Sequence, residues 1–535
     1  MNGEYIVSSF ILPLSSFLLL GAIAMNFSRR DFLKGMGACF AGSMLTPGEL
    51  FKLPGTNVSY SAGARGATGG NIVVFVQLSG GNDGINTVYP LNGAQRTNYE
   101  MFRPTLALPN QAANFQPWID KGIGGGSALD LGANVDGNNY ALNPGMGALY
   151  NLYTSGKMAV LPGVHYPSPN HSHFESTNVY TSADPSGGDA AGWFGKYLSS
   201  PDSGFTGADI PSVIMGESQT PLFTPSTPGI FTFSNLDVLQ FPATDDLQLK
   251  AMIYAAYCGF AGGRDGGQFP EMVKIAETAQ ATVAHLGQYY NPANPNGMLM
   301  PAKVQALLID KDGNYSRDNP LVYSSPLNPA DNPKVKDNDL ATDLKHIAAV
   351  IRADVGARFF HVTIGGFDTH SQQEENLYHS ALLNALSEAV AGFYNEMNQD
   401  VTLPAGLTGY QTASQTDRVI LVTFSEFGRT IRQNATDPKK AGTDHASSAP
   451  QFVIGGKVIG GQYGAYPQLD DPGFEADDDL KLSTDFRDVY GTILSKWLNV
   501  PAVDLGPGPG KILLSTPAPD GDGNKYTALT PLGFL

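Results

Sequence analysis

Apolar, β-branched runs that stop abruptly at glycine constrain this chain more than any other feature. "NIVVFVQL" (71–78) runs into "SGGNDG". A strand with one wet face alternates apolar and polar residues. A run without alternation is buried on both faces, as in a parallel sheet covered by helices. "KMAVLPGV" (157–164), "ARFFHVTIGG" (357–366), "DRVILVTFSEFGR" (417–429) and "QFVIGG" (451–456) repeat the pattern, and "PSVIMG" (211–216) repeats it more weakly. Between them, residues 339–354 set Leu340, Leu344, Ile347, Ala348 and Ile351 at helical spacing. Residues 375–398 do the same with Leu382, Leu386, Val390, Phe393 and Met397, and 483–498 predicts a closing helix. Strands alternating with helices predict an α/β layered fold with a mostly parallel sheet.

Composition narrows the function classes. The chain has 535 residues, 42% of them hydrophobic and only 15% charged, with 62 glycines and 37 prolines. That mix fits long ordered loops around a large core. The net charge of −17 argues against a nucleic-acid partner, since nothing would neutralise a row of phosphates. Two cysteines, Cys39 and Cys258, exclude a disulfide framework and a multi-thiolate zinc site.

Residues 1–66 read as an address and a linker. "SRRDFLK" (28–34) is followed by a Gly/Ala-rich apolar run and resembles a twin-arginine export signal. Its partner would be the twin-arginine translocase, which exports folded chains, and the mature protein is expected in the periplasm or secreted. Residues 1–24 precede the signal with a second apolar run. Either translation begins at Met25 or that run is an anchor. After residue 66 no stretch is long and apolar enough for a membrane span. Residues 67–535 form the main domain. Within it, 217–335 is rich in Pro, Asn and Gly and reads as an insertion or cap.

In open parallel sheets, ligands bind beyond the carboxyl ends of the strands. Polar residues gather at those ends. Asn82 and Asp83 follow the first strand; His171, Ser172 and His173 follow the second. Asp368 and His370 follow the strand ending near 364. Glu426 and Arg429 follow the next, and Asp444 and His445 precede the last. Carboxylate oxygens and imidazole nitrogens are the donors that divalent cations such as Zn, Mn, Mg or Ca take. Structural roles compete: Asp83 as a turn residue, Ser172 and Glu175 as a capping box, Glu426 as an ion-pair partner of Arg429, Asp444 as a hydrogen-bond partner of His445. His165, His285, His346, His361 and His379 read as structural.

Together the segments "VQLSGGNDGINTVYP", "HSHFES", "FFHVTIGGFDTHS", "RVILVTFSEFGRT", "GTDHASSAPQFVIGG" and "STDFRDVYGTILSKWL" resemble the exported family labelled domain of unknown function 1501 (DUF1501), from about residue 70 onward. That family is grouped with the alkaline phosphatase superfamily. The resemblance implies an α/β/α sandwich, a two-metal site, and a nucleophile at the start of a helix. On this chain it implies Ser172 as nucleophile. Asp368, His370 and His445 would hold one metal, Asp83 and Glu426 the other. Phe427 stands where the superfamily has a histidine, and His173 or Asp444 would have to fill that gap. Arg429 and Asn82 would help hold the substrate anion. Cys258 lies outside any formylglycine maturation signal, which disfavours that type of sulfatase. The expected activity is metal-dependent hydrolysis of phosphate or sulfate esters, on a small-molecule or polysaccharide substrate. The alternative is a non-catalytic exported binding protein with a degenerate metal site.

Overall fold

The computed structural model describes residues 70–167, 169–185, 191–205, 212–215, 221–223, 230–233, 339–354, 356–400, 411–469, 480–481, 483–505, 512–513 and 530–535. The export signal, both cysteines, His285 and nearly all of 217–335 lie outside them.

Seven strands of the main sheet position the site: β1 (Ile72–Leu78), β2 (Met158–His165), β3 (Ser212–Met215), β4 (Ile230–Phe233), β5 (Phe359–Ile364), β6 (Val419–Phe424) and β7 (Ala449–Gly455). Their spatial order is β2-β7-β6-β1-β5-β3-β4. The two-residue strands Gly461–Gln462 and Thr484–Asp485 both pair with β2 and complete a nine-stranded sheet. β1 pairs in parallel with β5 and β6, and β3 in parallel with β5 and β4. β7 alone is reversed, antiparallel to both β6 and β2. The sheet is therefore mixed and mostly parallel. Its edge strand β4 falls inside the segment expected to be an insertion.

Both faces of the sheet are buried, as the runs without alternation require. Along β1, Ile72, Val74, Val76 and Leu78 enter one core, while Val73 and Phe75 enter the other. Each such side chain contributes roughly 1.5–3 kcal/mol by leaving water. The first core is closed by helices α1 (Gly147–Thr154), α4 (Asp339–Ala353) and α5 (Tyr378–Met397). The second is closed by α2 (His173–Ser182), α3 (Trp193–Leu198) and α6 (Phe486–Thr492). The predicted closing helix is shorter than its spacing suggests, because it passes into a wider π turn over Ile493–Trp497. None of the described helices is long and apolar enough to cross a membrane.

Candidate metal centre

Reversal of β7 explains how residues before one strand meet residues after others. Asp368 and His370 follow β5, Glu426 and Phe427 follow β6, and His173 opens α2 beyond the end of β2. An antiparallel strand starts at the rim where its parallel neighbours end, so Asp444 and His445, ahead of β7, arrive at that rim. A short antiparallel pairing sets His445 opposite Arg429 and Ala446 opposite Gly428.

There three imidazoles converge on one carboxylate oxygen. Asp368 Oδ1 lies 3.1 Å from His370 Nε2, 3.1 Å from His445 Nε2 and 3.9 Å from His173 Nε2. The His370 and His445 Nε2 atoms are 2.9 Å apart. His173, Asp368 and His445 each offer a donor atom, and these atoms all lie within 4.8 Å of one another. The cluster is open to solvent, with side-chain exposures of 41% for His173 and 44% for His370.

Each ring is also held from behind. His173 Nδ1 is 2.9 Å from Glu426 Oε1, His370 Nδ1 is 2.8 Å from Asp444 Oδ1, and His445 Nδ1 is 3.0 Å from the His171 carbonyl oxygen. A carboxylate and a carbonyl can only accept. The three Nδ1 atoms therefore carry the protons, a tautomer assignment made from the acceptors. In neutral rings all three Nε2 atoms then present lone pairs toward Asp368, and those of His370 and His445 also face each other.

Lone pairs 2.9–3.1 Å apart repel unless a proton or a metal cation sits among them. Burial pushes the His445 imidazole below its ordinary value; the Asp368 hydrogen bond opposes this and the nearby Arg429 charge adds to it. The proton is thus disfavoured at that ring. Burial alone would raise the Asp368 carboxyl, but the hydrogen bond and positive charge of Arg429 outweigh it and hold the group down at about 2. A tetrahedral cation about 2.0–2.1 Å from each donor keeps its ligand atoms about 3.3 Å apart. The separations of 2.9, 3.1, 3.1 and 3.9 Å bracket that spacing. Anchoring of each non-ligating nitrogen by an oxygen acceptor is the arrangement that orients histidines around metals.

Close backbone approach builds the frame. A Cβ on Gly80 would sit 2.4 Å from the Asp368 amide nitrogen, and one on Gly81 would sit 2.2 Å from the Phe427 ring. Both glycines also have positive φ, +119° and +78°. The Gly80 N–H donates to Glu426 Oε1 at 2.7 Å. Phe427 is fully buried and packs against the rings of His173 and His445, with centroids 4.8 and 4.6 Å away. The residue standing in place of the expected histidine is thus an apolar wall behind two imidazoles.

The other expected site residues lie around this frame. Asp83 is fully buried and caps a single helical turn (Gly84–Thr87), accepting from the Ile85 and Asn86 amides at 3.2 and 3.3 Å. Its Oδ2 takes Arg103 Nη1 at 2.6 Å and Gln373 Nε2. Burial would raise its carboxyl, but the Arg103 charge leads the opposing effects and the net shift is downward. Asn82 Oδ1 accepts from Thr87 Oγ1 and faces His379 Nε2, both at 3.0 Å, which places the side chain in the interior. Arg429 is fully buried: its guanidinium donates to the carbonyls of Gly80, Gly81, Phe367 and Thr443 and to Asp368 Oδ1 at 2.8 Å. That fork ties three loops together and is not presented to a substrate. Glu426 and Asp444, expected as ligands, contact the Nδ1 atoms of His173 and His370 instead of facing Asp368. Ser172 caps α2, accepting the Glu175 amide at 3.5 Å, a long bond. Its own N–H goes to Asn170 Oδ1 at 2.9 Å, so this half of the capping box is not made by Glu175.

Sequence reasoning missed Arg103, Gln373 and the His171 carbonyl. A backbone carbonyl leaves no trace in a sequence. Arg103 left one, as a lone cation in the apolar "MFRP" of a chain poor in charge. His165 and His361 are buried, and burial pushes their imidazoles down to about 3 and about 4.

A family model described as "Protein of unknown function (DUF1501)" matches residues 328–501. That span carries Asp368, His370, Glu426, Asp444 and His445, while Asp83, Ser172 and His173 lie ahead of it. The match supports the DUF1501 family for this part of the chain. No curated protein and no solved structure matches.

Proposed function

We propose that His173, Asp368, His370 and His445 hold a divalent cation and that the chain is an exported hydrolase of phosphate or sulfate esters. The observation that carries this reading is the convergence of three Nε2 atoms on Asp368 Oδ1, each ring anchored at Nδ1 by an oxygen. Three imidazoles and one carboxylate favour Zn over Mg or Ca, which prefer all-oxygen sets, with Mn between them. When bound, such an ion supplies Lewis-acid stabilisation of ester oxygens.

The chain's own residues supply position and a nucleophile. Ser172 lies between His171, whose carbonyl holds His445, and the ligand His173. It opens a ten-residue helix whose amide N–H groups favour an incoming anion. Its hydroxyl is held only by a 3.5 Å bond, which leaves it free to turn toward an ester. Asp368, tied by Arg429, stays ionised and fixes the imidazole cluster. The "SRRDFLK" segment supports export through the twin-arginine route to the periplasm or beyond.

The rival reading, an exported binding protein with a degenerate site, draws support from the full engagement of Asp83 with Arg103 and Gln373. A screen of phosphate monoesters, diesters and sulfate esters with Zn, Mn, Mg and Ca separates the two. Hydrolysis that requires the cation and falls at least about 100-fold in Ser172→Ala, with cation content unchanged, is the expected result. An unchanged rate in that variant removes Ser172 as nucleophile; no hydrolysis of any ester by cation-loaded protein favours the rival.

A further inference from the structure

In the two-metal enzymes that the sequence resembles, a second ion would sit at Asp83 and Glu426, with a third group at position 427. Asp83 accepts four hydrogen bonds, two from backbone amides and two from Arg103 and Gln373, and none of its surface reaches solvent. Arg103 is equally committed. Its Nε donates to the Ile431 carbonyl at 2.9 Å, Nη2 to the Thr430 carbonyl at 2.7 Å, and Nη1 to Asn86 Oδ1 at 2.8 Å as well as to Asp83. Glu426 Oε1 is shared between Gly80 N–H and His173. Position 427 is a fully buried phenylalanine. The donor set does not fit an ion: one carboxylate is saturated, one is half used, and no imidazole is present at 427.

We infer that the Arg103 guanidinium permanently occupies the cation role at Asp83, so that the chain binds one divalent ion and not two. A guanidinium with four of its five N–H groups hydrogen-bonded is a fixed positive charge that neither exchanges nor responds to chelators. A cation could displace it only by stripping Asp83 of its partners and leaving Arg103 buried without its counter-charge, a breakage that structures tolerate poorly. The inference rests on the cation reading of the imidazole cluster, and its test keeps the two apart.

The experiment is calorimetric titration of chelator-stripped full-length chain with Zn²⁺ and, separately, Mn²⁺, checked by elemental analysis after desalting. One equivalent per chain is expected, falling to none in His370→Ala. Two tight equivalents overturn the single-ion inference while leaving the cluster intact; none in the wild-type chain overturns the cluster reading itself. Arg103→Lys keeps the charge and is expected to retain one equivalent. Asp83→Asn, if its circular dichroism shows a folded chain, is also expected to retain one equivalent. Loss of the ion from folded Asp83→Asn would make Asp83 a ligand and refute the assignment. Where that variant does not fold, the wild-type stoichiometry decides alone.

Discussion

Glu426→Gln tests the support of the cluster without touching a ligand. The substitution keeps the shape but removes a charge from a side chain that is 2% exposed. Glu426 Oε1 receives two hydrogen bonds, from Gly80 N–H at 2.7 Å and His173 Nδ1 at 2.9 Å, and Oε2 is buried with no hydrogen-bond partner. Glutamine leaves a weaker, neutral acceptor and puts an NH₂ into a place with nothing to receive it. Loss of a metal-orienting acceptor weakens ion affinity about 10–100-fold, or roughly 1.4–2.7 kcal/mol. Asp444→Asn makes the same chemical change behind His370, but Asp444 is 59% exposed and water can replace it. Its effect should be smaller, less than about 10-fold. Competition titration of both apo-proteins against a chelating indicator measures the two affinities. Equal affinity in wild type and Glu426→Gln, or a larger loss in Asp444→Asn, refutes the reasoning that burial makes the Glu426–His173 bond the tighter support.

Two further expectations follow from packing and burial. Gly81→Ala adds a methyl 2.2 Å from the Phe427 ring at a φ of +78°. It should cost about 1–3 kcal/mol in chemical denaturation and weaken ion binding through displaced imidazoles; a neutral result would show that the loop relaxes freely. Stability should also fall in acid. Buried His165 and His361 titrate at about 3 and about 4 in the folded chain, below the unfolded value of about 6.5. The unfolded chain therefore binds more protons below pH 6.5, so stability is fully present above that value and is lost as pH falls toward 3–4, by a few kcal/mol in all. Urea midpoints across that window check this, and His165→Asn should flatten the slope.

Legibility in the sequence followed the physics of each feature. β1, β5 and β6 were readable because burial on both faces forces an unbroken apolar run, and α4 and α5 because their apolar spacing survives in the chain. The reversed direction of β7 was not readable, since a strand buried on both faces carries no mark of direction. Asp368, His370 and His445 were found because strand-end carboxylates and imidazoles are scarce here. His173 was named only as a stand-in, although it shares the cluster with Asp368 and His445. Roles were harder to read than membership. Whether a carboxylate faces a cluster or a ring behind it depends on ångström geometry, and the spacing of Glu426 and Asp444 in the sequence carries none of it. Asp83 was misplaced because its partner Arg103 lies 20 residues along the chain and meets it only after folding.

X-ray absorption on the zinc-loaded full-length chain reads the ligands of the ion itself. A first shell of nitrogen and oxygen donors at about 2.0–2.1 Å, with outer-shell scattering from three imidazoles, is predicted. A hydrated ion with one imidazole or none, or a spectrum requiring sulfur, would contradict the account.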